Sequence, residues 1–467
     1  MSQELMKGAV HVDGGLLTVS DETPLASAEM DTLVRAAVFG DPDVRDDARW
    51  MIWEIGQSVG VIPSSIHSLY LARGRGETGG YTVPAINVRG MTYDTARSIF
   101  RTAKRLDAGA LICEIARSEI AYTDQRPAEY VAVLIAAALR EGWRGPLFIQ
   151  GDHFQINAKK FAVDAETEVN AVKQLAREAV AAGFYNIDID TSTLVDLSKP
   201  NLEEQQRVNY EQAADIALFV RGLQPQGIDI SLGGEIGEVG TENSTEAELQ
   251  AYMTGFNRTL EERDPGVAGL SKISVQSGTT HGGVVLADGS IADVQIDFDT
   301  LKRLSDVARE DFGLAGAVQH GASTLPDGAF NNFPRTETAE IHLATNFQTM
   351  LYDRLPRALR GEVYDWLKEN AKDERKAADS DEQFFYKTRK KALGPFKRRF
   401  WDLDAEVKSA LAAAYDEKFA FLFTQLGIAG TAAAVAKHVK PVVQHRPPPH
   451  EGLAVVAAAP DDADLSD

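Results

Sequence analysis

The stretch that decides the fold is residues 146–190, PLFIQGDHFQINAKKFAVDAETEVNAVKQLAREAVAAGFYNIDID. It opens on a short apolar run, passes through polar GDH (151–153), continues in the helically spaced ETEVNAVKQLAREAVAAG (166–183), and closes on a second β-rich run, NIDID (186–190). A strand, a helix of about five turns and a second strand make a βαβ unit, whose two strands lie parallel in one sheet. Polar residues stand just where the first strand should give way to its loop. That is the end at which parallel α/β sheets place their chemistry.

The same alternation extends in both directions. Before it come TVPAINV (82–88), the helical YDTARSIFRTAKRL (93–106), ALICEI (110–115) and the helical PAEYVAVLIAAALREG (127–142). After it come NYEQAADIALFVRGL (209–223), GIDISLGGEIG (227–237), SKISVQSG (271–278), AGAVQHG (315–321) and AEIHLAT (339–345). About eight strands over roughly 270 residues match a (β/α)8 TIM barrel. A doubly wound open sheet would carry a glycine-rich dinucleotide turn after its first strand, and TVPAINVRG is not one. The expected organisation is an N-terminal helical extension over 1–64, the barrel over 65–350, a C-terminal helical extension over 351–445 and a disordered tail over 446–467.

The first extension reads as a polar lead followed by helices in AEMDTLVRAAVFG (28–40) and VRDDARWMIWEIGQSVG (44–60). The second contains a charged link, KENAKDERKAADSDEQ (368–383), a basic aromatic patch, KTRKKALGPFKRRFWDL (387–403), and a long helix ended by Gly427. The patch is read as a helix face that packs Phe396, Phe400 and Trp401 inward, in preference to a nucleic-acid surface. The last stretch, from QHRPPPHEG (444–452) onward, is Pro-rich and then acidic.

Bulk properties narrow the function. A formal charge of −21 repels nucleic acid and anionic membrane surfaces, so neither is expected as a partner. An anionic substrate would then need a local attraction from a metal, backbone N–H groups or a side chain such as Arg117, Lys199 or Arg335. The single cysteine, Cys113, excludes an internal disulfide and any Cys-rich zinc module, which fits a reducing compartment and leaves His and carboxylates to bind metal. The N-terminus has no signal-peptide pattern and no run is long and apolar enough to span a membrane. The expectation is a soluble cytoplasmic protein.

Three of the nine histidines share one setting, an apolar run followed by small or polar residues: His153 in FIQGDHF, His281 in SVQSGTTHGG and His320 in AVQHGAS. Each alone is more simply a strand cap or a core histidine. Three imidazoles at one end of a barrel are the ligand set of a catalytic zinc that keeps one position for substrate. Asp190 after NIDI and Glu235 in LGGEIGEVG offer oxygen ligands or outer-shell partners, with a helix cap the plainer role for Asp190. Neighbours on a strand point to opposite faces, so Asp152 and His153 both reach the barrel mouth only if GDH begins the loop. Asp152 is the candidate acid/base, with a histidine partner as its structural alternative. Gly282, Gly321, Ala322 and Ser323 are small enough to let backbone N–H groups approach a phosphate.

In this order, SIHSLYLARGRGETGGYTVPAINV, GDH, IDTS, GEIGEVG, GTTHGG and QHGAS resemble the class II, metal-dependent ketose-bisphosphate aldolases, from residue 65 until the likeness fades at LATNFQ (343–348). The resemblance implies a zinc-dependent aldolase that cleaves or forms a phosphorylated ketose, such as fructose 1,6-bisphosphate, through a metal-stabilised enediolate. It implies His153, His281 and His320 as zinc ligands, and Asp190 and Glu235 as ligands for a second divalent or a monovalent cation. Asp152 would be the acid/base, Gly282, Gly321, Ala322, Ser323 and Asn346 would contact substrate phosphate, and the protein would be a homo-oligomer, dimer or tetramer. The chain departs from the family at two places. GGVVLADG (282–289) lacks the family's lysine, and HLATN (342–346) stands where the family has Asn-(Ile/Val)-Asp-Thr-Asp. Competing readings are a metal-dependent isomerase or hydrolase on the same histidines and a non-catalytic accessory chain.

Overall fold

The computed structural model describes residues 6, 8–237, 242–278, 286 and 296–449. His281 and Gly282 lie outside them, as do residues 450–467 of the expected tail.

A short antiparallel hairpin, β1 (Val10–Asp13) and β2 (Leu16–Val19), occupies the segment read as a polar lead. Its Val-His-Val and Leu-Leu-Thr-Val runs around Gly14 and Gly15 are a hairpin signal, with both glycines at positive φ. Helices Ala28–Phe39 and Pro42–Val59 follow as expected, the second ended by Gly60 in the left-handed region.

The short strand β3 (Val61–Ser64) then pairs with the start of β6 (Gly145–Gln155). The barrel proper is made by β4 (Val83–Asn87), β5 (Ile112–Ala116), β6, β7 (Asn186–Asp190), β8 (Ser231–Glu235), β9 (Lys272–Val275), β10 (Ala317–Gln319) and β11 (Glu340–Leu343). Each pairs in parallel with the next, and β11 pairs with β4, so the eight strands close. The (β/α)8 expectation is met, strand for strand.

Helix His67–Gly74 sits at the end where the strands begin. Arg73, fully buried, donates to the carbonyls of Tyr81, Ala315 and Thr338, and Tyr70 donates into the barrel to Glu340. These three guanidinium bonds satisfy carbonyls just before the strands that would otherwise be buried without partners.

The C-terminal segment lies against the other end. Gly394 N–H donates to Tyr122 O, at the end of the short helix Arg117–Tyr122 that follows β5, Lys397 donates to Asp124 O just beyond it, and Arg389 donates to Thr349. Trp401 stacks on Tyr93 and meets Phe39 edge-on, so the basic patch packs its aromatics inward.

Residues Gln444–Arg446, on the boundary of the expected disordered tail, are instead strapped to helix Pro42–Val59. Trp50 and Trp53 donate to the Arg446 and Gln444 carbonyls, buried Glu54 accepts from Arg446 N–H and faces His445 Nδ1 at 2.7 Å, and the Arg446 guanidinium lies 3.3 Å above the Trp53 ring. Composition suggested disorder, but two indole donors and a buried carboxylate supply partners that the proline-rich segment lacks by itself. Among the described residues no helix is long and apolar enough to cross a membrane.

Candidate metal centre

The barrel interior is lined with charge. Alternate residues of the strands face inward, and Glu114 of β5, Gln150 and Asp152 of β6, Asp188 and Asp190 of β7, Lys272 of β9, and Glu340 and His342 of β11 are all buried. Lys272 reaches across to Gln150 at 2.8 Å and Asp188 at 2.9 Å and also bonds Glu340. A side chain at position 233 would strike this pair: a Cβ there would lie 2.3 Å from Asp188 Oδ1, so glycine is required.

Nearer the mouth, β6 does not end at GDH. It runs on to Gln155 and takes a register shift between Gly151 and Phe154, with His153 at φ +39°. This corrects the expectation that GDH begins the loop. A bulge with one residue in the left-handed region lets Asp152 and His153 both face the mouth, where regular alternation would turn one away. Gly151 makes room for it, since a Cβ there would sit 2.4 Å from the Phe154 ring.

His153 Nδ1 lies 3.0 Å from Asp190 Oδ2 and 3.5 Å from Glu235 Oε2. Asp190 is fixed on its other side, its Oδ1 accepting from Ser192 N–H and Oγ, and Gln155 donates to Oδ2 at 2.7 Å. It therefore caps the turn at 192–194 and orients His153 at once. His320, just past β10, places its ring 4.2 Å from that of His153 and its Nε2 3.0 Å from Ser274 Oγ. Asp152 Oδ2 accepts from Asn87 at 3.0 Å, and its Oδ1 lies 3.8 Å from His153 Nε2. One ligand atom from each of Asp152, His153 and His320 falls within 4.8 Å of the others, and the same holds for His153, Asp190 and Glu235. Nitrogen and carboxylate donors converging at this spacing fit a divalent transition metal.

A class-II fructose-bisphosphate aldolase signature matches residues 74–398. The chain belongs to the class II fructose-bisphosphate aldolase family. It has no match among curated protein sequences. Among solved structures it is similar to a fructuronate-tagaturonate epimerase from Cohnella laeviribosi, with TM-score 0.51 and 12% identity over 75% of this chain and 82% of that one. It is also similar to a probable tagatose 6 phosphate kinase from Sinorhizobium meliloti 1021, with TM-score 0.50 and 15% identity over 78% and 95%. A third likeness is to fructose-bisphosphate aldolase from Campylobacter jejuni, with TM-score 0.47 and 16% identity over 79% and 97%. At these identities the first two likenesses are of fold alone.

Of the residues singled out from sequence in this aldolase-family chain, the fold gathers Asp152, His153, Asp190, Glu235 and His320 at the strand ends. Gly321 takes φ +69° and opens the turn Ala322–Thr324, which packs on β11 and on helix Thr345–Arg354, whose first turn carries Asn346. Arg117 is tied to Glu168 at 2.7 Å and Lys199 is an exposed partner of Asp196, so neither is arranged at the centre. Glu114, Asp188, Lys272 and His342 belong to the interior charge cluster and were not singled out as site residues. Their signal was a charged or titratable residue set into short strands, single in ICEIA and KISV and at alternate positions in NIDID and EIHL.

The electrostatics follow from burial and neighbours. Burial disfavours ionised Asp152, but the His153 and His342 rings outweigh it and hold its carboxyl well below the usual range. For His153, burial opposes the charged ring, and Asp152 and Asp190 reverse this and raise it well above its ordinary value. Burial, reinforced by Asp190, pushes Glu235 up to about 8. Burial and Asp152 likewise push Glu114 up to about 8. The depression keeps Asp152 in the ionised form, which can accept a proton, and at the same time makes it a weak base that takes one only from an acidified donor.

Proposed function

We propose that this chain is a divalent-metal-dependent aldolase that cleaves or forms a phosphorylated ketose. The observation that carries the reading is the convergence of Asp152, His153 and His320 at the C-terminal mouth of the barrel, within a chain of the class II aldolase family. His153 and His320, with His281, would hold a zinc ion, and Asp190 and Glu235 would orient His153 or take a second cation. Such an ion supplies Lewis-acid stabilisation of negative charge on the ketose oxygens. Asp152 accepts the proton of the hydroxyl on the far carbon of the breaking bond, that carbon becomes an aldehyde, and the carbon–carbon bonding pair passes to the ketone-bearing fragment. In the synthetic direction Asp152 returns the proton. Asn87 holds Oδ2 and so fixes the carboxylate plane. Gly321, Ala322, Ser323 and Asn346 would meet a phosphate group at the rim.

A second reading, a metal-dependent epimerase or isomerase, is favoured by one contact. His342 Nδ1 stands 3.1 Å from Asp152 Oδ1, and two proton carriers side by side suit moving a proton between two positions of a bound sugar. The deciding experiment is incubation of the full chain with fructose 1,6-bisphosphate, with and without chelator, followed by assay of triose phosphate. Chelator-sensitive release supports the aldolase. A rearranged sugar of unchanged carbon number from a wider set of ketose phosphates and uronates supports the second reading.

A further inference from the structure

We propose that Glu114, Asp152, Asp188 and His342 form a second divalent-cation site, deeper in the barrel than the His153–His320 cluster and sharing only Asp152 with it. One ligand atom from each of the four lies within 4.8 Å of every other. His342 Nδ1 is 3.0 Å from Glu114 Oε1 and 3.1 Å from Asp152 Oδ1. Ligand atoms about 2.1 Å from one ion at right angles are separated by about 3.0 Å, so these spacings are those of neighbouring ligands in a coordination shell.

The groups are close but not hydrogen-bonded. Among the described residues, Glu114 Oε1, Asp152 Oδ1, Asp188 Oδ1 and both His342 ring nitrogens make no aligned hydrogen bond, although all four residues are buried. Buried polar atoms without aligned partners are rare, and three that face one another here, Glu114 Oε1, Asp152 Oδ1 and His342 Nδ1, point to an ion that satisfies them together. Charge leads to the same place. The buried cluster has four carboxyls, Glu114, Asp152, Asp188 and Glu340, against one ammonium, Lys272, and one imidazole, His342. A dication among these carboxyls offsets charge that is costly to bury unpaired.

The surroundings are those of a metal-bound imidazole. With Nδ1 toward the cation, His342 Nε2 faces Glu340 Oε1 at 2.9 Å, and Glu340 is itself held by Tyr70, Gln150 and Lys272. Metal-ligating histidines characteristically give their second nitrogen to a carboxylate in this manner. Lys272, bonded to Asp188, orients that ligand from behind. Three carboxylates and one imidazole suit a hard to borderline cation, for which Mn2+ is the probe.

The site does not depend on the aldolase reading, and its test separates the two. Metal-depleted full-length protein is titrated with Mn2+ while free ion is followed by electron paramagnetic resonance, and wild-type crystals grown with Mn2+ are measured at the manganese edge. The proposal expects two ions per chain, one anomalous peak between Glu114, Asp188 and His342, and loss of one ion in Glu114→Gln and in His342→Ala. His153→Ala should keep the deep ion and lose the one at the mouth. No peak at that position in wild-type crystals, or unchanged stoichiometry in folded Glu114→Gln, overturns it. Wild-type crystals decide the matter even where a variant fails to fold.

Discussion

His153 Nδ1 stands 3.0 Å from Asp190 Oδ2 across two neighbouring strands, and it does so because β6 bulges between Gly151 and Phe154 while β7 runs straight. The bulge re-aims the imidazole, and Ser192 and Gln155 lock the carboxylate that receives it. Asp190 therefore works as the partner that fixes the ring so that its other nitrogen points to the mouth. Asp190→Asn keeps the shape and removes the charge, and should weaken metal binding roughly 10- to 100-fold without abolishing it. Competition with a chromophoric chelator measures this, and an unchanged affinity would show that Asp190 serves only the turn at 192–194.

Asp152 is the proton carrier in the proposed reaction. Asp152→Asn preserves the hydrogen bond to Asn87 in outline while removing the base, so turnover should fall by roughly 10²- to 10⁴-fold. A metal bound at His153 and His320 should remain, read as an anomalous peak beside those two rings in crystals of the variant. Full activity with metal in place would leave His342, 3.1 Å away, as the group to test next.

The barrel was legible because each of its eight strands is a short apolar run set between helical stretches, a local pattern that survives reading one residue at a time. The mouth residues were legible for the same reason: Asp152, His153, Asp190, Glu235 and His320 all stand at or just beyond the end of such a run. What escaped was the interior. Glu114 and Lys272 interrupt their strands with single charges and Glu340 sits two residues before His342, and which of them meet is set by the barrel's closure, which brings β5, β9 and β11 face to face. His342 was visible only as a departure from the family's late strand, and its contact with Asp152 is a long-range one. The bulge was illegible too, because nothing in GDHF announces a left-handed histidine. The strap at Gln444–Arg446 was hidden by composition, since its partners, Trp50, Trp53 and Glu54, lie almost four hundred residues earlier.

The bulge itself can be tested. Gly151→Ala would put a methyl group 2.4 Å from the Phe154 ring, which is buried and has no free direction in which to retreat. The cost should be about 1–3 kcal/mol, read from the urea midpoint, with a loss of metal affinity because Asp152 and His153 ride on the displaced segment. Adding Phe154→Leu should recover part of both losses, since the two positions are in contact and their effects do not add. Independent, additive effects would mean that glycine is needed at 151 for another reason.

A pH-dependent stability is built into helix His67–Gly74. His67 is buried at its start with Nδ1 lacking a hydrogen bond among the described residues, and burial, helped by nearby Arg221, depresses its pKa from 6.5 to about 4. The folded protein keeps the ring neutral, whereas the unfolded chain takes up a proton below about pH 6.5. This group's contribution is therefore complete above pH 6.5 and is lost as the pH falls through 4. The depression corresponds to about 3 kcal/mol at most. His67→Gln cannot take up that proton, so its unfolding free energy should decline less steeply between pH 6.5 and 4 than that of the parent, while carboxylate effects common to both cancel in the difference. Parallel urea-unfolding curves across that range would show that the ring is protonated in the fold, and that Asp229 supports its charge more strongly than burial opposes it.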